Sequence, residues 1–316
     1  MQVITNNQLT ADVKRVSIIE LFLRGKRSEN TRRAYKADLT DFFTTVTGQG
    51  VDGEAVNWFL SLERAKAVML VYGYKSTLID RGLGEATVNR RLAALRSLAK
   101  FARKSGYCNW ELSDVEGEKV QGYRDVSGPT TEQITLMLNI PDRGTVKGKR
   151  DYAILRLLWG NALRRAEIVN CDIKDLDIKA GTLAIRGKGR GSQKETISLK
   201  GKTIEALTDW INTRDDVSPH EPLFTSLGGK KRGGRMTGEG IGFTVRTIAK
   251  KAGINKRVSP HRIRHSSITA ALEATNGNVS MVQKLSRHVK VETVMVYNDR
   301  RTDQQGEVSD LLEKIA

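Results

Sequence analysis

Residues 182–199 read Thr182-Leu-Ala-Ile-Arg-Gly-Lys-Gly-Arg-Gly-Ser-Gln-Lys-Glu-Thr-Ile-Ser-Leu199, two short runs rich in apolar and β-branched residues around a glycine-rich turn at Gly187–Gly191. That is the signature of a β-hairpin, and it is the one convincing β signal in the chain. The sequence on either side follows a helical period. Helical segments are expected at about 201–213, 237–252, 261–275 and 279–286, with helices upstream in Tyr152–Trp159 after Asp151 and in Arg164–Asn170 after the Gly160-Asn161 break. One hairpin among helices predicts a mainly α fold with a small antiparallel β-sheet.

Further toward the N-terminus the pattern is wholly helical. Tyr35, Leu39, Phe42, Phe43 and Val46 recur with helical spacing, and Ser28 or Asn30 can cap that helix. A helical stretch is expected from about Glu54 to Asp80. A third follows Gly82-Leu-Gly84, capped by Thr87, with Val88, Leu92, Leu95, Leu98, Phe101 and Ala102 on its buried face. Its other faces carry Arg90, Arg91, Arg96, Lys100, Arg103 and Lys104, and the preceding helix carries Arg32, Arg33 and Lys36. On a single helix such cations read as a solvated face; together they favour contacts to phosphates. Residues 106–130 turn acidic and glycine-rich and lose periodicity, so they divide the chain. The expected organisation is 1–12 as a flexible N-terminus, 13–106 as a helical domain, 107–129 as a linker, and 130–316 as a second domain ending in a short helix.

The length of 316 residues suits two domains, and 39% hydrophobic with 28% charged residues is a folded, water-compatible composition. A net charge of +17 costs self-repulsion and points to a polyanionic partner, nucleic acid first. Cys108 and Cys171 stand apart from any metal-ligand spacing, which argues against zinc and a disulfide scaffold. No apolar run reaches membrane length and the N-terminal residues have no signal-like core, so a cytoplasmic, membrane-free protein is expected.

Three of the four histidines, His261, His265 and His288, fall in the last third, interleaved with Arg264 and Arg287 and followed by Tyr297. His261 and Arg264, three apart, share a face if helical. Pro260 fits a first helical turn, where an anion is already favoured. An imidazole and a guanidinium there suit a phosphodiester, and a phenol can attack phosphorus and conserve its bond energy as a phosphotyrosine. Taken alone, a His-x-x-Arg pair reads as a surface pair, since many helices contain one by chance. Gly229 and Gly234 have Walker spacing but are followed by Arg235, and no acidic cluster recommends two-metal chemistry. No cofactor and no metal are expected.

These motifs, in this order, resemble the tyrosine recombinase (phage integrase) family. Ala162-Leu-Arg164-Arg-Ala-Glu167 resembles the motif bearing the family's first catalytic arginine, which makes that residue Arg164 rather than Arg165, supported by Glu167. The hairpin resembles the one bearing the catalytic lysine, implying Lys188, with Lys194 as its competitor. His261-Arg-Ile-Arg264-His265 resembles the His-x-Leu-Arg-His box, His288 stands where the family has His or Trp, and Tyr297 matches the nucleophile. Ser28–Leu39 and Thr87–Leu98 resemble the helical core-binding domain of the Xer and integrase proteins. No arm-binding domain is evident, which favours the Xer-like or Cre-like layout.

The resemblance implies a two-domain DNA clamp, a helical (SAM-like) core-binding domain plus an α+β catalytic domain. It also implies a site-specific recombinase acting through a 3′-phosphotyrosine and a Holliday junction. Arg164 and Arg264 would stabilise developing charge, Lys188 would be the general acid, His261 would take the tyrosine proton, and His288 would hydrogen-bond the phosphate. His265 reads as a supporting residue, since it lies one position from Arg264 and would face another way. The partners implied are double-stranded DNA with a specific site and a homotetramer on it, or a heterotetramer with a paralogue. The short C-terminal stripe Val308, Leu311, Leu312, Ile315 would pack on a neighbouring protomer or on its own domain. A type IB topoisomerase, or a DNA-binding protein without catalysis, remains the alternative. Two departures stand out: Ala162 where a glycine often precedes Leu-Arg, and Ser286-Arg287-His288 in place of Leu-Gly-His. His220 has no role in this scheme.

Overall fold

A computed structural model describes residues 17–120, 128–187, 193–214, 218–229, 232–298 and 304–315. The chain divides into two compact units, Met1–Tyr123 and Arg124–Ala316. Among the described residues no helix is long and apolar enough to cross a membrane.

Among the described residues the regular structure of the first unit is helical: α1 (Ile18–Arg24), α2 (Glu29–Thr47), α3 (Gly53–Ser61), α4 (Arg64–Asp80) and α5 (Glu85–Lys104). Ser28 caps α2, its side chain accepting from Thr31 N–H. The expected helix over 54–80 is two helices, because Leu62 and Glu63 are extended and Glu63 becomes the N-cap of α4. Thr87 does not cap α5. The helix starts at Glu85 behind Gly84, so Thr87 lies in its first turn. Leu39, Phe42, Phe59, Val71, Leu92 and Leu95 fill the core, with the Phe42 ring edge-on to Phe43, Phe59 and Tyr74.

The first part of the expected linker packs as core. Trp110, Leu112 and Val115 are buried in the same cluster, and Trp110 Nε1 donates to Leu62 O at 2.9 Å. Asn89 grips the irregular segment that follows, donating to Glu118 O at 2.8 Å and accepting from Glu118 N–H at 2.7 Å. Three well-spaced apolar side chains outweigh the acidic, glycine-rich composition that made this stretch read as linker.

The second unit contains α6 (Thr131–Asn139), α7 (Val146–Gly160), α8 (Arg165–Val169), a three-stranded sheet, then α9 (Lys202–Ile211), α10 (Gly238–Lys251), α11 (Pro260–Ala274), α12 (Val279–Ser286), α13 (Glu292–Asn298) and α14 (Gln304–Glu313). Thr130 caps α6 through a reciprocal box with Gln133. The cap of α7 is Thr145, well before Asp151, which sits mid-helix and buried between Lys147 and Arg150. Strands β1 (Leu176–Asp177), β2 (Thr182–Ile185) and β3 (Glu195–Ser198) form an antiparallel sheet in that order, with Leu183 opposite both Leu176 and Ile197. The two-residue β1 is too short to leave a period of its own in the sequence.

The core of this unit joins Leu157, Leu158, Leu183, Ile185, Leu207, Trp210, Val245 and Ile263. Helix α7 packs along α9 on one side and α11 on the other. Gly128 crosses α11 closely: a Cβ there would meet the Arg262 carbonyl and the Ser266 hydroxyl. Ser266 Oγ donates to Pro129 O at 2.5 Å, and Lys256 donates to Gly128 O, so residues 128–129 are pinned to the helix that carries His261 and Arg264.

Candidate active site

Three breaks between elements converge on α11. Its N-terminus is set by Ser259, which caps the helix by accepting from Arg262 N–H, and by Pro260 in the first turn. From there Arg264 points inward and is 1% exposed. Its Nη1 donates to Ala162 O in the turn after α7, and its Nη2 donates to Ser286 O at the end of α12. Nη2 also lies 3.2 Å from His288 Nε2. One side chain therefore joins segments that are far apart in sequence.

The turn that supplies Ala162 O is left-handed at Ala162, with φ 46°. Arg164 follows as the N-cap of α8. Its backbone N–H donates to Glu167 Oε2 at 2.8 Å and its Nη1 to Glu167 Oε1 at 2.7 Å. Glu167 is buried and also accepts from Arg287 Nη2 at 3.1 Å. Arg165 leaves this cluster and lies along Gly238 and Gly242 of α10. The geometry thus joins Arg164, not Arg165, to Arg264.

Among the described residues Arg264 has no carboxylate partner, while Arg164 and Arg287 share Glu167. Burial, with Arg164 and Arg287 close by, pulls the Arg264 guanidinium down to about 9. Such crowding of cations in a dehydrated place is relieved by an anion.

Tyr297, on α13, stands beside this cluster. Its ring is 4.9 Å from that of His265 and stacks at 6.2 Å on that of His288, centroid to centroid. Its hydroxyl is 3.5 Å from His265 Nε2, and His265 Nε2 is 2.9 Å from His261 Nε2. His265 is thus the imidazole against the phenol. The spacing that matters is His261 to His265, four residues and one helical face, which brings the histidine expected in a supporting place against the phenol.

A guanidinium only donates, so His288 Nε2 accepts from Arg264 and its proton sits on Nδ1, which is buried and makes no hydrogen bond among the described residues. Burial, then Arg264, Arg164, Arg287 and His261, push this imidazole down to about 4. The folded protein therefore resists a protonation that the unfolded chain accepts below the ordinary 6.5, and this group lowers stability as pH falls from 6.5 toward 4. We expect nitrogen NMR to show His288 as the neutral Nδ1–H tautomer at pH 7; a midpoint at or above 6.5 would contradict this arrangement.

Lys188 lies outside the described residues. Its competitor Lys194 forms an ion pair with Asp175, which is buried. In the first unit Arg90 pairs with buried Asp38 and Arg91 with Asp41, which also holds Arg81 and the Tyr74 hydroxyl. Arg33 is near Glu29, and Arg32 Nε donates to Lys26 O. Lys36, Arg96 and Lys100 enter no ion pair among the described residues. The side chains of Val308 and Leu311 lie outside the described ones; Leu312 and Ile315 are exposed.

Sequence reasoning gave Arg287 no role. The signal was present as an arginine where the resembling motif has glycine, but only the fold reveals where its side chain goes.

Residues 130–304 match the phage integrase family, and residues 18–106 match the phage integrase N-terminal SAM-like domain. The chain belongs to the phage integrase family. It is 45% identical over 312 residues to a tyrosine recombinase of Synechococcus elongatus, covering 99% of this chain and 98% of that one. A tyrosine recombinase of Synechocystis is 46% identical over 300 residues, with 94% of each chain covered. The XerC tyrosine recombinase of Neisseria gonorrhoeae is 28% identical over 295 residues, with 92% of each covered.

At this similarity the protein is a tyrosine recombinase. The fold agrees. The XerH recombinase bound to a palindromic difH substrate gives a TM-score of 0.63 at 18% identity, covering 94% of this chain and 95% of the other. A lambda integrase dimer bound to a COC′ core site also gives 0.63, at 13% identity and coverage of 95% and 83%. The recombinase is mainly helical with one small antiparallel sheet, as the hairpin and its surroundings predict.

Proposed function

We propose that this recombinase cuts and rejoins duplex DNA at a specific site, with Tyr297 as nucleophile. The observation that carries the reading is a phenol packed between two imidazoles beside guanidinium groups that outnumber their carboxylate. Tyr297 Oη attacks the scissile phosphorus, forming a 3′-phosphotyrosine as the bond to the 5′ oxygen breaks. The phenolic proton passes to the His265–His261 pair, which refines the role given to His261 alone. Lys188 supplies the proton taken by the 5′ oxygen.

Arg164 and Arg264 hold the non-bridging oxygens, Glu167 directing Arg164. His288 steadies the Arg264 fork and, in its other tautomer, donates to the phosphate. The conserved bond energy lets a 5′-hydroxyl from a second duplex reverse the step. Two such exchanges pass through a Holliday junction within a tetramer, of one protein or of two paralogues.

In the first unit, Lys36, Arg96 and Lys100 are the stronger candidates for DNA phosphate contacts, with Arg32 and Arg33 beside them. Arg90 and Arg91 act chiefly in ion pairs within the domain. The DNA named in the solved relatives XerH and lambda integrase supports the choice of partner.

A nicked suicide substrate tests the reading, because loss of the short 5′ fragment traps the covalent intermediate. Incubation with a library of candidate sites should yield protein joined to DNA through Tyr297, identified by mass spectrometry of the linked peptide. A covalent link at another residue, or none with any duplex, would reject it.

A further inference from the structure

Arg287 closes α12 in the left-handed conformation, with φ 56°. For a residue with a side chain that conformation is strained, and a glycine there would avoid the strain. The side chain is 4% exposed, so the strain gains no contact with solvent. Instead Nη1 donates to Asn161 O at 3.1 Å and to Leu285 O at 2.6 Å. Nη2 donates to Ala162 O and to Glu167 Oε2, each at 3.1 Å. These four bonds use every terminal N–H of the guanidinium, and its Nε is buried. The fifth donor, Nε–H, is buried and unpaired among the described residues, so no donor of Arg287 is exposed to a substrate and its catalytic effect passes through the groups it holds.

Those groups belong to the two arginines of the site. Glu167 carries Arg164 on its other oxygen, and Ala162 O also accepts from Arg264. A carboxylate clasped by a second guanidinium has less freedom to rotate and take Arg164 with it. We propose that Arg287 is a positioning residue for strand cleavage, locking the turn that carries His288 to the loop that carries Arg164 through shared Glu167 and Ala162. This role rests on the cleavage reading given above.

The test compares unaltered protein with Arg287→Gly, Arg287→Met and Glu167→Gln on a nicked suicide duplex, at saturating DNA and in a single turnover. Glycine suits the backbone, so Arg287→Gly keeps a folded protein in play where Arg287→Met fails to fold. The expected result is covalent-complex formation about ten- to a hundredfold slower, the scale on which small misplacements of reacting groups act. DNA affinity should stay within about twofold and the thermal transition should remain cooperative. The double variant Glu167→Gln with Arg287→Gly should be hardly slower than Glu167→Gln alone, because both changes act on one carboxylate.

Cleavage by Arg287→Gly at the unaltered rate overturns the inference. So does a loss matched by weaker DNA binding, or a double variant whose two losses multiply. If the unaltered protein itself forms no covalent complex, it is the cleavage reading that fails, and this role falls with it.

Discussion

Tyr297→Phe should abolish covalent protein–DNA complexes while leaving DNA affinity within about twofold. The change removes one oxygen. The ring that packs on His265 and His288 stays, and so do the buried Arg264 contacts, so the fold around α13 has little reason to move. The remaining six tyrosines lie at or before Tyr152 in the sequence, so a peptide linked through Tyr297 is distinguishable from any of them. The measurement pairs a denaturing gel of suicide-substrate reactions with a gel-shift titration on intact duplex. Full covalent capture by the phenylalanine variant would remove Tyr297 as nucleophile. Loss of capture together with loss of binding would mean that the hydroxyl serves binding instead.

Arg264→Met should be nearly as damaging to cleavage, with far less effect on stability than its burial suggests. Two opposing contributions decide the stability. Losing the guanidinium orphans the Ser286 carbonyl, at roughly 1–3 kcal/mol, while Ala162 O keeps Arg287 Nη2. It also removes a buried cation crowded by Arg164 and Arg287, relieving a desolvation penalty of roughly several kcal/mol even after relaxation. These nearly offset, so unfolding free energy should change by no more than about 2 kcal/mol.

Catalysis has no such compensation. A preorganised donor aimed at developing charge is worth roughly 10²–10³ in rate. Single-turnover cleavage and chemical denaturation on the same preparation separate the two effects. Near-normal cleavage by a stably folded Met variant would take Arg264 out of the reaction. Arg264→Lys should fare little better, since an ammonium on a flexible stem cannot span Ala162 O, Ser286 O and His288 Nε2 at once.

Much of this was legible from residue order. Helical periods placed α2, α5 and α9 to α12 within a few residues, because a buried face repeats wherever a helix packs on a core. The hairpin was equally plain. Failures arose where short-range chemistry and long-range packing disagree. Leu62-Glu63 interrupts a continuous helical pattern with no glycine or proline to mark it. Residues 107–118 look like a linker by composition, but Trp110, Leu112 and Val115 find a core to enter. The ion pairs of Arg90 and Arg91 with Asp38 and Asp41, from another helix, left no mark in the sequence either.

The same division runs through the site. The sequence by itself determined the family, the mainly helical class and the candidate set Arg164, His261, Arg264, His288 and Tyr297. It could do so because residue type and spacing along one element are local properties. Only the tertiary structure decided which imidazole meets the phenol, which of two adjacent arginines joins the cluster, and what Arg287 does. Each of those depends on backbone carbonyls and side chains from segments distant in the chain, and no local period encodes where they meet. Ala162 and Arg287 make the point most directly. Both replace expected glycines, yet both keep a left-handed backbone, because the bonds made by Arg264 and Arg287 hold those turns in place.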